Sequence, residues 1–563
     1  MNAIQPESLA LQRLYHWERT APDRIALSQP TGGGVVLDFS WAQVAEQVRR
    51  MAAHLQAHGW EPGSKVAILS KNCAWWLMSD LAIWMAGHVS VPLYPTLAAA
   101  TVAQILAHSQ ARACFVGKLD DWDAMKPGVP AGLPCISYPL SPEDAVHSYE
   151  QWDAVCARNP PLAGEVARGY GELATLIYTS GTTGQPKGVM HSFGNFAWAL
   201  DAALDRVPMT LEDRMLSYLP LAHVVERVLV EHGWLRAGFR VYFADSLDTF
   251  TADLQRARPT IFFSVPRLWV KFQQGVHHKM PQARLERLLS IPVIRGLVRA
   301  KILKALGLDR CRVAAGGAAP MPLALLAWYR RIGLPVNEGY GMTENLAISH
   351  ITVPGRNQEG TVGPAYRGVD VRIDAQTGEI QMRSGALMLG YYREPALSGA
   401  AFTEDGWLRT GDKGQIDTQG NLRITGRLKD MFKTSKGKYV APGPIEDRLG
   451  MHPAVEACVV AGANLGQPLG IVMLNADAAA AAGNAAGRAE LERSLSEHLM
   501  GVNAGLDPHE QLACLVVVTL PWTVDNDIIT PTFKVKRNRI EEVYASQCEG
   551  WEASGRQVIW QEP

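Results

Sequence analysis

Residues 178–190 read Tyr-Thr-Ser-Gly-Thr-Thr-Gly-Gln-Pro-Lys-Gly-Val-Met. An apolar strand pattern, 174–178, precedes this stretch and a helical pattern, 193–204, follows it. Gly181, Gly184 and Gly188 let the backbone turn tightly and approach a ligand closely. Thr179, Ser180, Thr182 and Thr183 offer hydroxyls, and Lys187 adds a point charge. Backbone amides, hydroxyls and one lysine between a strand and a helix are what a polyphosphate requires. No Gly-Lys-Ser/Thr closes the loop, so the spacing differs from that of a P-loop.

Strands alternate with helices on both sides of this loop. The spacing predicts a helix over 41–59 ending at a glycine, a strand over 66–69 and a helix over 75–86. Further strands are expected over 260–265 and 312–315. Such alternation argues for a doubly wound α/β core. Residues 81–111 contain no Lys, Arg, Asp or Glu and are long enough for a membrane span. Pro92 and Pro95 interrupt them, so a buried helix, a short strand and a second helix are expected instead. The texture changes after about residue 360. Gln376-Thr-Gly378 and Gln419-Gly-Asn421 lie between strand patterns and predict hairpins of a small β-rich unit. The last segment, with strands near 456–460, 470–474 and 515–519, predicts a boundary near 427–431 and domains 1–430 and 431–563. The alanine-rich stretch 476–486 reads as a surface loop or short helix.

Composition fits this organisation. A chain of 563 residues exceeds one ordinary core, and a 47% hydrophobic, 19% charged composition excludes disorder. With 54 Lys+Arg against 55 Asp+Glu, nothing global favours nucleic acid, so any anion site is local. Eight scattered cysteines without a C-x-x-C pair suit neither a zinc site nor a disulfide framework and predict free thiols. The first twenty residues carry Glu7, Arg13, Glu18 and Arg19 and lack the apolar core of a secretory signal, so a cytoplasmic location is expected.

The loop resembles the signature of AMP-forming acyl and aryl ligases, and the resemblance runs from about Trp41 to Arg539 with further motifs in the family's order. It implies doubly wound αβαβα sheets in a large N-terminal domain, a small β-rich subdomain and a small mobile α+β C-terminal domain. It also implies ATP, Mg²⁺ and coenzyme A as partners in the reaction. Leu219-Pro-Leu-Ala-His-Val-Val-Glu-Arg227 is similar to a motif whose aromatic position, here His223, lines the acyl pocket. Gly317, Ala318 and Ala319, in Ala315-Gly-Gly-Ala-Ala-Pro320, stand where the family packs backbone against adenine. Asn337-Glu-Gly-Tyr-Gly-Met-Thr-Glu344 resembles the next motif: Glu338, Gly339, Tyr340 and Gly341 at the adenine, Thr343 on the α-phosphate and Glu344 on Mg²⁺ with Thr179. The resemblance assigns Asp412 to the ribose hydroxyls, Arg427 to ribose and phosphate, and a hinge to Asp430.

In Thr530-Pro-Thr-Phe-Lys-Val-Lys-Arg537 the family's adenylation lysine falls on Lys534 or Lys536; alignment of Arg537 favours Lys534. Lys436-Gly437 would meet the pantetheine arm after the small domain swings. Residues 259–269 and 433–442, with the Glu226-Arg227 ending, resemble the long-chain branch, which implies a medium- to long-chain fatty acid activated to acyl-AMP and passed to CoA. Competing readings are a ligase that loads a carrier protein, an oxidoreductase similar to luciferase, and a non-catalytic nucleotide- or lipid-binding relative. The joint presence of Lys187, Glu344, Asp412, Arg427 and Lys534 argues against the last. Arg267 to Arg310 is strongly basic with Leu288, Leu289, Ile291, Ile294, Val298 and Ile302 interleaved, a pattern that predicts weak peripheral contact with the inner face of an anionic membrane. A monomer and a homodimer both remain open.

Overall fold

The computed structural model describes residues 6–180, 186–353, 359–523, 526, 528–530 and 535–561. The strands predicted over 66–69 and 174–178 belong to one eight-stranded sheet. Its order is Gly390–Tyr391, Pro186–Ser192, Leu173–Ser180, Val89–Leu93, Lys65–Leu69, Ala113–Val116, Cys135–Ser137 and Glu150–Gln151. Pairing is parallel from Leu173–Ser180 through Glu150–Gln151 and antiparallel at the other edge. A second sheet runs Ile261–Ser264, Val313–Gly316, Val336–Tyr340, His350–Ile351, and a third joins Arg214–Ser217 and Arg240–Phe243 to Ile25–Pro30 and Val36–Ser40.

The charge-free stretch folds as expected: helix Ala74–Met85, strand Val89–Leu93, helix Ala99–Ser109. Every residue of Ala74–Met85 is buried, which is why it is apolar on all sides. Among the described residues no helix is long and apolar enough to cross a membrane. Trp41 stacks on Trp234 with ring centroids 4.5 Å apart, and Trp17 stacks on Trp41 in turn. Asp80 is the exception inside the apolar helix. It meets Arg227, which also binds Glu231 at 2.9 Å and the Thr175 hydroxyl at 3.0 Å, all fully buried. Burial pushes both carboxyls up while the shared guanidinium pulls them down, and the network ties this helix to the segment after His223.

The two predicted hairpins form one antiparallel sheet, Asp370–Ile373, Glu379–Arg383, Leu408–Ile416 and Leu422–Arg427. A separate four-stranded sheet follows: Val455–Ala461, Leu469–Leu474, Leu515–Val518 and Val558–Trp560. It is flanked by Pro442–Leu449, Ala485–Asn503 and Arg537–Ala553. The chain is therefore a large α/β part with a β-rich unit and a small α+β part after it. Ala476–Ala481 is a short helix, and all eight cysteines are free.

Candidate active site

The glycine loop joins two strands. Leu173–Ser180 pairs antiparallel with Pro186–Ser192, placing Thr179 opposite Lys187, and helix Phe193–Arg206 begins only after the second strand. The expected strand-loop-helix arrangement is thus corrected, and no helix N-terminus follows the loop directly. The cause is strand pairing: residues 186–192 take up the edge that Leu173–Ser180 offers, and the Ser192 hydroxyl, accepting from the Asn195 amide at 3.1 Å in a capping box, starts the helix only after them. Gly188 lies inside the second strand rather than in a turn. A Cβ there would lie 3.2 Å from the Tyr178 ring, whose hydroxyl meets His108 Nδ1 at 2.7 Å. Gly181, Thr182, Thr183 and Gly184 lie outside the described residues, as does the Ser180 side chain.

Beside this hairpin opens a cavity of about 2210 Å³. Single drug-sized ligands occupy about 300–1,000 Å³, so the space admits more than one substrate. Thr179, Lys187, Gly317, Ala318, Ala319, Glu338, Gly339, Tyr340, Gly341, Thr343, Glu344, Asp412 and Arg427 all line it, although they span more than 240 positions of sequence. Two of the small residues are required by backbone proximity. A Cβ on Gly341 would sit 2.4 Å from the Ala347 carbonyl carbon, and one on Gly317 would sit 2.9 Å from the Gly339 oxygen. Ala318 holds φ +70°, a left-handed conformation that an alanine adopts only under constraint.

At the polar end the Tyr340 hydroxyl donates to Asp412 Oδ2 at 2.7 Å, and Arg427 Nε lies 3.1 Å from Asp412 Oδ1. Cross-strand register sets this pair, since Asp412 faces Arg427 on neighbouring strands. Burial, with Asp412 alongside, pushes the Tyr340 phenol well above its ordinary range, so it stays a donor. Burial also pushes the Glu338 carboxyl up to about 7, where it accepts from the Met321 amide at 3.3 Å.

Glu344 sits on the short 3₁₀ turn Thr343–Asn345, and two residues that sequence reasoning missed fix this turn. The first is His191, buried and held down at about 4 by burial; its neutral ring donates from Nε2 to the Thr343 carbonyl at 2.8 Å. The second is Tyr391, whose hydroxyl donates to Glu344 Oε1 at 2.8 Å while Lys187 Nζ stands 5.6 Å from its ring centroid. Burial, then Glu344, raises the Tyr391 phenol far above its usual value. Nothing local marks either residue, because the link is made by strand Gly390–Tyr391 pairing with Pro186–Ser192. Among the described residues no group of three His, Cys, Asp or Glu could cage a metal. A single carboxylate beside hydroxyls in a phosphate-sized cleft fits Mg²⁺, which takes one or two carboxylates plus substrate phosphates.

The other end is apolar. Val207, Met209, Val228, Val313, Ile348 and Tyr366 line it. Beside Val207, Met209, Val313 and Tyr366, Arg206 donates to the Ala365 carbonyl at 3.0 Å and Arg312 to the Pro208 carbonyl at 2.5 Å. His223 lines the cavity as the cap of helix Val224–Glu226, with Nδ1 accepting from the Val225 amide at 3.3 Å. A π-helical turn, Arg227–His232, follows and turns Val228 and Leu229 toward the space. Behind it Glu226 is fully buried, pushed up to about 8 by burial, and accepts from Ser217, Asn72 and the Tyr218 amide.

The small α+β part closes the cavity with Thr530, Val535 and Lys536. Lys534 itself lies outside the described residues. Lys436 and Gly437, expected at the thiol substrate, do not line the cavity. They form the turn between Phe432–Lys433 and Tyr439–Val440, and Lys436 Nζ donates to Gln467 Oε1 at 3.4 Å within the small part. Arg267 and Glu456 form an ion pair between the two parts.

Residues 14–392 match the AMP-binding enzyme family, and residues 429–553 match the AMP-binding enzyme C-terminal domain. The chain belongs to the AMP-binding enzymes. Within that family it is 30% identical to the long-chain-fatty-acid–CoA ligase FadD15 of Mycobacterium bovis, over 95% of this chain and 96% of that protein. It is 29% identical to the peroxisomal long chain acyl-CoA synthetase 6 of Arabidopsis thaliana, over 91% and 81%. This AMP-binding enzyme shares its fold with the A domain of the carboxylic acid reductase of Segniliparus rugosus, solved with AMP and a co-purified carboxylic acid. The TM-score there is 0.78 at 23% identity, over 97% and 94% of the chains.

Proposed function

We propose that the protein activates a medium- to long-chain fatty acid with ATP, giving acyl-AMP and pyrophosphate, and then transfers the acyl group to coenzyme A. The observation that carries this reading is one cavity joining an apolar end to the Tyr340–Asp412–Arg427 cluster and the hairpin of Thr179 and Lys187. A carboxylate alone is a poor acyl donor because its oxygen leaves badly. In the first half-reaction a carboxylate oxygen attacks the α-phosphorus, and the bond to pyrophosphate breaks as the new P–O bond forms. Tyr340 stacks on adenine, Asp412 accepts from the ribose hydroxyls, and Arg427 bridges ribose and phosphate. Thr343 donates to the α-phosphate, while Lys187 and Lys534 stabilise charge gathering on the phosphoryl oxygens; such electrostatic effects are worth several kcal/mol. Glu344 and Thr179 would hold Mg²⁺, which supplies positive charge to the same oxygens. His223 borders the carboxylate end of the acyl chain.

In the second half-reaction the thiolate attacks the acyl carbonyl and AMP departs. One cleft serves two reactions if the groups that touch the reacting atoms change. The domain boundary therefore falls at Asp430–Met431, about which the small part turns to withdraw Lys534 and bring Lys436-Gly437 to the pantetheine arm. The free thiols fit a reducing, cytoplasmic setting.

The test is thioester formation by the purified chain with ATP, Mg²⁺ and CoA across fatty acids from short to long, following AMP and acyl-CoA together. Both products rising in step, with an optimum at medium or long chains, is expected. Acyl-adenylate without acyl-CoA would overturn the CoA step, and no acid-dependent AMP would overturn the reading. Lys534→Ala should slow adenylation by orders of magnitude; near-parent rates would reassign the lysine.

A further inference from the structure

Five tyrosines line the cavity among the described residues: Tyr94, Tyr178, Tyr340, Tyr366 and Tyr391. Three engage named partners through their hydroxyls, Tyr178 with His108, Tyr340 with Asp412 and Tyr391 with Glu344. Tyr94 follows strand Val89–Leu93, which pairs with Leu173–Ser180 beside the phosphate hairpin, where a nucleotide brings polar partners of its own. Tyr366 belongs to the apolar end, with Val207, Met209, Val313 and Ile348. It is 7% exposed, and its hydroxyl forms no hydrogen bond among the described residues.

The backbone holds this tyrosine in place. Its amide donates to the Ser349 carbonyl at 2.9 Å, its carbonyl accepts from the Val369 amide at 3.1 Å, and the preceding Ala365 bridges to His350. Gly363 holds φ +77°, and a Cβ there would sit 2.5 Å from the Ile351 oxygen, so the segment lies close against its neighbour. Every polar group of Tyr366 except the hydroxyl is therefore satisfied. Burial pushes the phenol well above its ordinary range, against the pull of the Arg206 guanidinium, so it stays protonated and can both donate and accept.

A buried hydroxyl without a partner is costly, and a saturated alkyl chain offers it none. The cost disappears when the chain carries an oxygen at that depth. A pocket that hydrogen-bonds a substrate oxygen rejects the analogue lacking it far more strongly than an apolar pocket discriminates between chain lengths. Resting on the proposed activation of a fatty acid, we infer that the preferred acid carries a hydroxyl or keto oxygen on its alkyl chain, paired with the Tyr366 hydroxyl. A chain hydroxyl donates or accepts there, whereas a ketone only accepts from Tyr366. The recognised oxygen lies on the alkyl part, because the carboxylate end borders His223.

The test compares acids of one chain length by acid-dependent pyrophosphate release: unsubstituted, hydroxylated at successive carbons, and bearing a ketone at the same carbons. One substituted position should exceed the unsubstituted acid in kcat/KM by about 10- to 100-fold, the loss that follows when a buried hydroxyl is left unpaired. Calorimetry of acid binding with AMP present should give the same order. Tyr366→Phe should reverse the ranking. The substituted acid falls to or below the unsubstituted one, and the latter rises roughly two- to fivefold because no unpaired hydroxyl remains. A purely structural role for the ring would move both acids together. A parent enzyme that favours the unsubstituted acid at every position, or a preference that survives Tyr366→Phe, overturns the inference and leaves fatty-acid activation standing. Pyrophosphate release with none of the acids overturns the activation itself, and this inference with it.

Discussion

Tyr391→Phe removes one hydroxyl and keeps the ring beside Lys187. In the parent that hydroxyl donates to Glu344 Oε1 at 2.8 Å, and no other hydrogen bond to the Glu344 carboxylate is formed among the described residues. Hydrogen bonds to charged groups contribute about 1.5–3 kcal/mol net. If Glu344 must be held in one orientation to engage Mg²⁺ and the α-phosphate, the loss appears as a fall of about 10- to 100-fold in kcat/KM for ATP. The assay is fatty-acid-dependent pyrophosphate release with Mg²⁺ titrated at fixed ATP, beside Mn²⁺ binding followed by electron paramagnetic resonance in the presence of nucleotide. The fall should be larger at limiting than at saturating Mg²⁺, and Mn²⁺ should bind more weakly. Tyr391→Leu, which also strips the ring from Lys187, should lose a further few-fold, the size of a cation–π contact of about 0.5–1 kcal/mol. A Phe variant within about twofold of the parent at every Mg²⁺ concentration would refute the positioning role.

Three further outcomes follow from the geometry. Gly341→Ala forces a Cβ against the Ala347 backbone, so AMP affinity by calorimetry should drop at least about tenfold; parent-like binding would show that the turn can yield. The folded state holds a proton on Glu226 up to about pH 8, whereas the unfolded chain loses it near 4.5. Stability from this site is therefore full below pH 4.5, declines as pH rises through that window and is flat above it. Glu226→Gln keeps the acceptor for Ser217 and the Tyr218 amide without the slope, so its Tm relative to the parent should climb between pH 5 and 8; parallel Tm–pH curves would rule this out. Arg267→Ala or Glu456→Ala cuts the half-exposed ion pair between the two parts, a contact worth at most about 1 kcal/mol. The ratio of thioesterification to adenylation rates should rise by up to about fivefold; an unchanged ratio in both variants would deny the pair a part in holding this arrangement.

Wherever a signal is local, the sequence by itself determined the outcome. Apolar runs of strand length, interrupted by Pro92 and Pro95, were enough for helix, strand and helix over 74–109, because backbone preference and burial of a short segment act within a few residues. The motifs around Tyr340, Asp412 and Arg427 were likewise readable one at a time, although nothing in them gave their separation. The tertiary structure decided what depends on partners distant in the chain. Strand 186–192 exists because Leu173–Ser180 offers it an edge to pair with, and its short Pro-Lys-Gly run carries little strand signal alone. Tyr391 reaches Glu344 across 47 positions because Gly390–Tyr391 pairs with strand 186–192 in turn. Side-chain chemistry is written residue by residue, but which groups share a cleft or a surface is set by long-range packing, and that information resides in no single stretch of the chain.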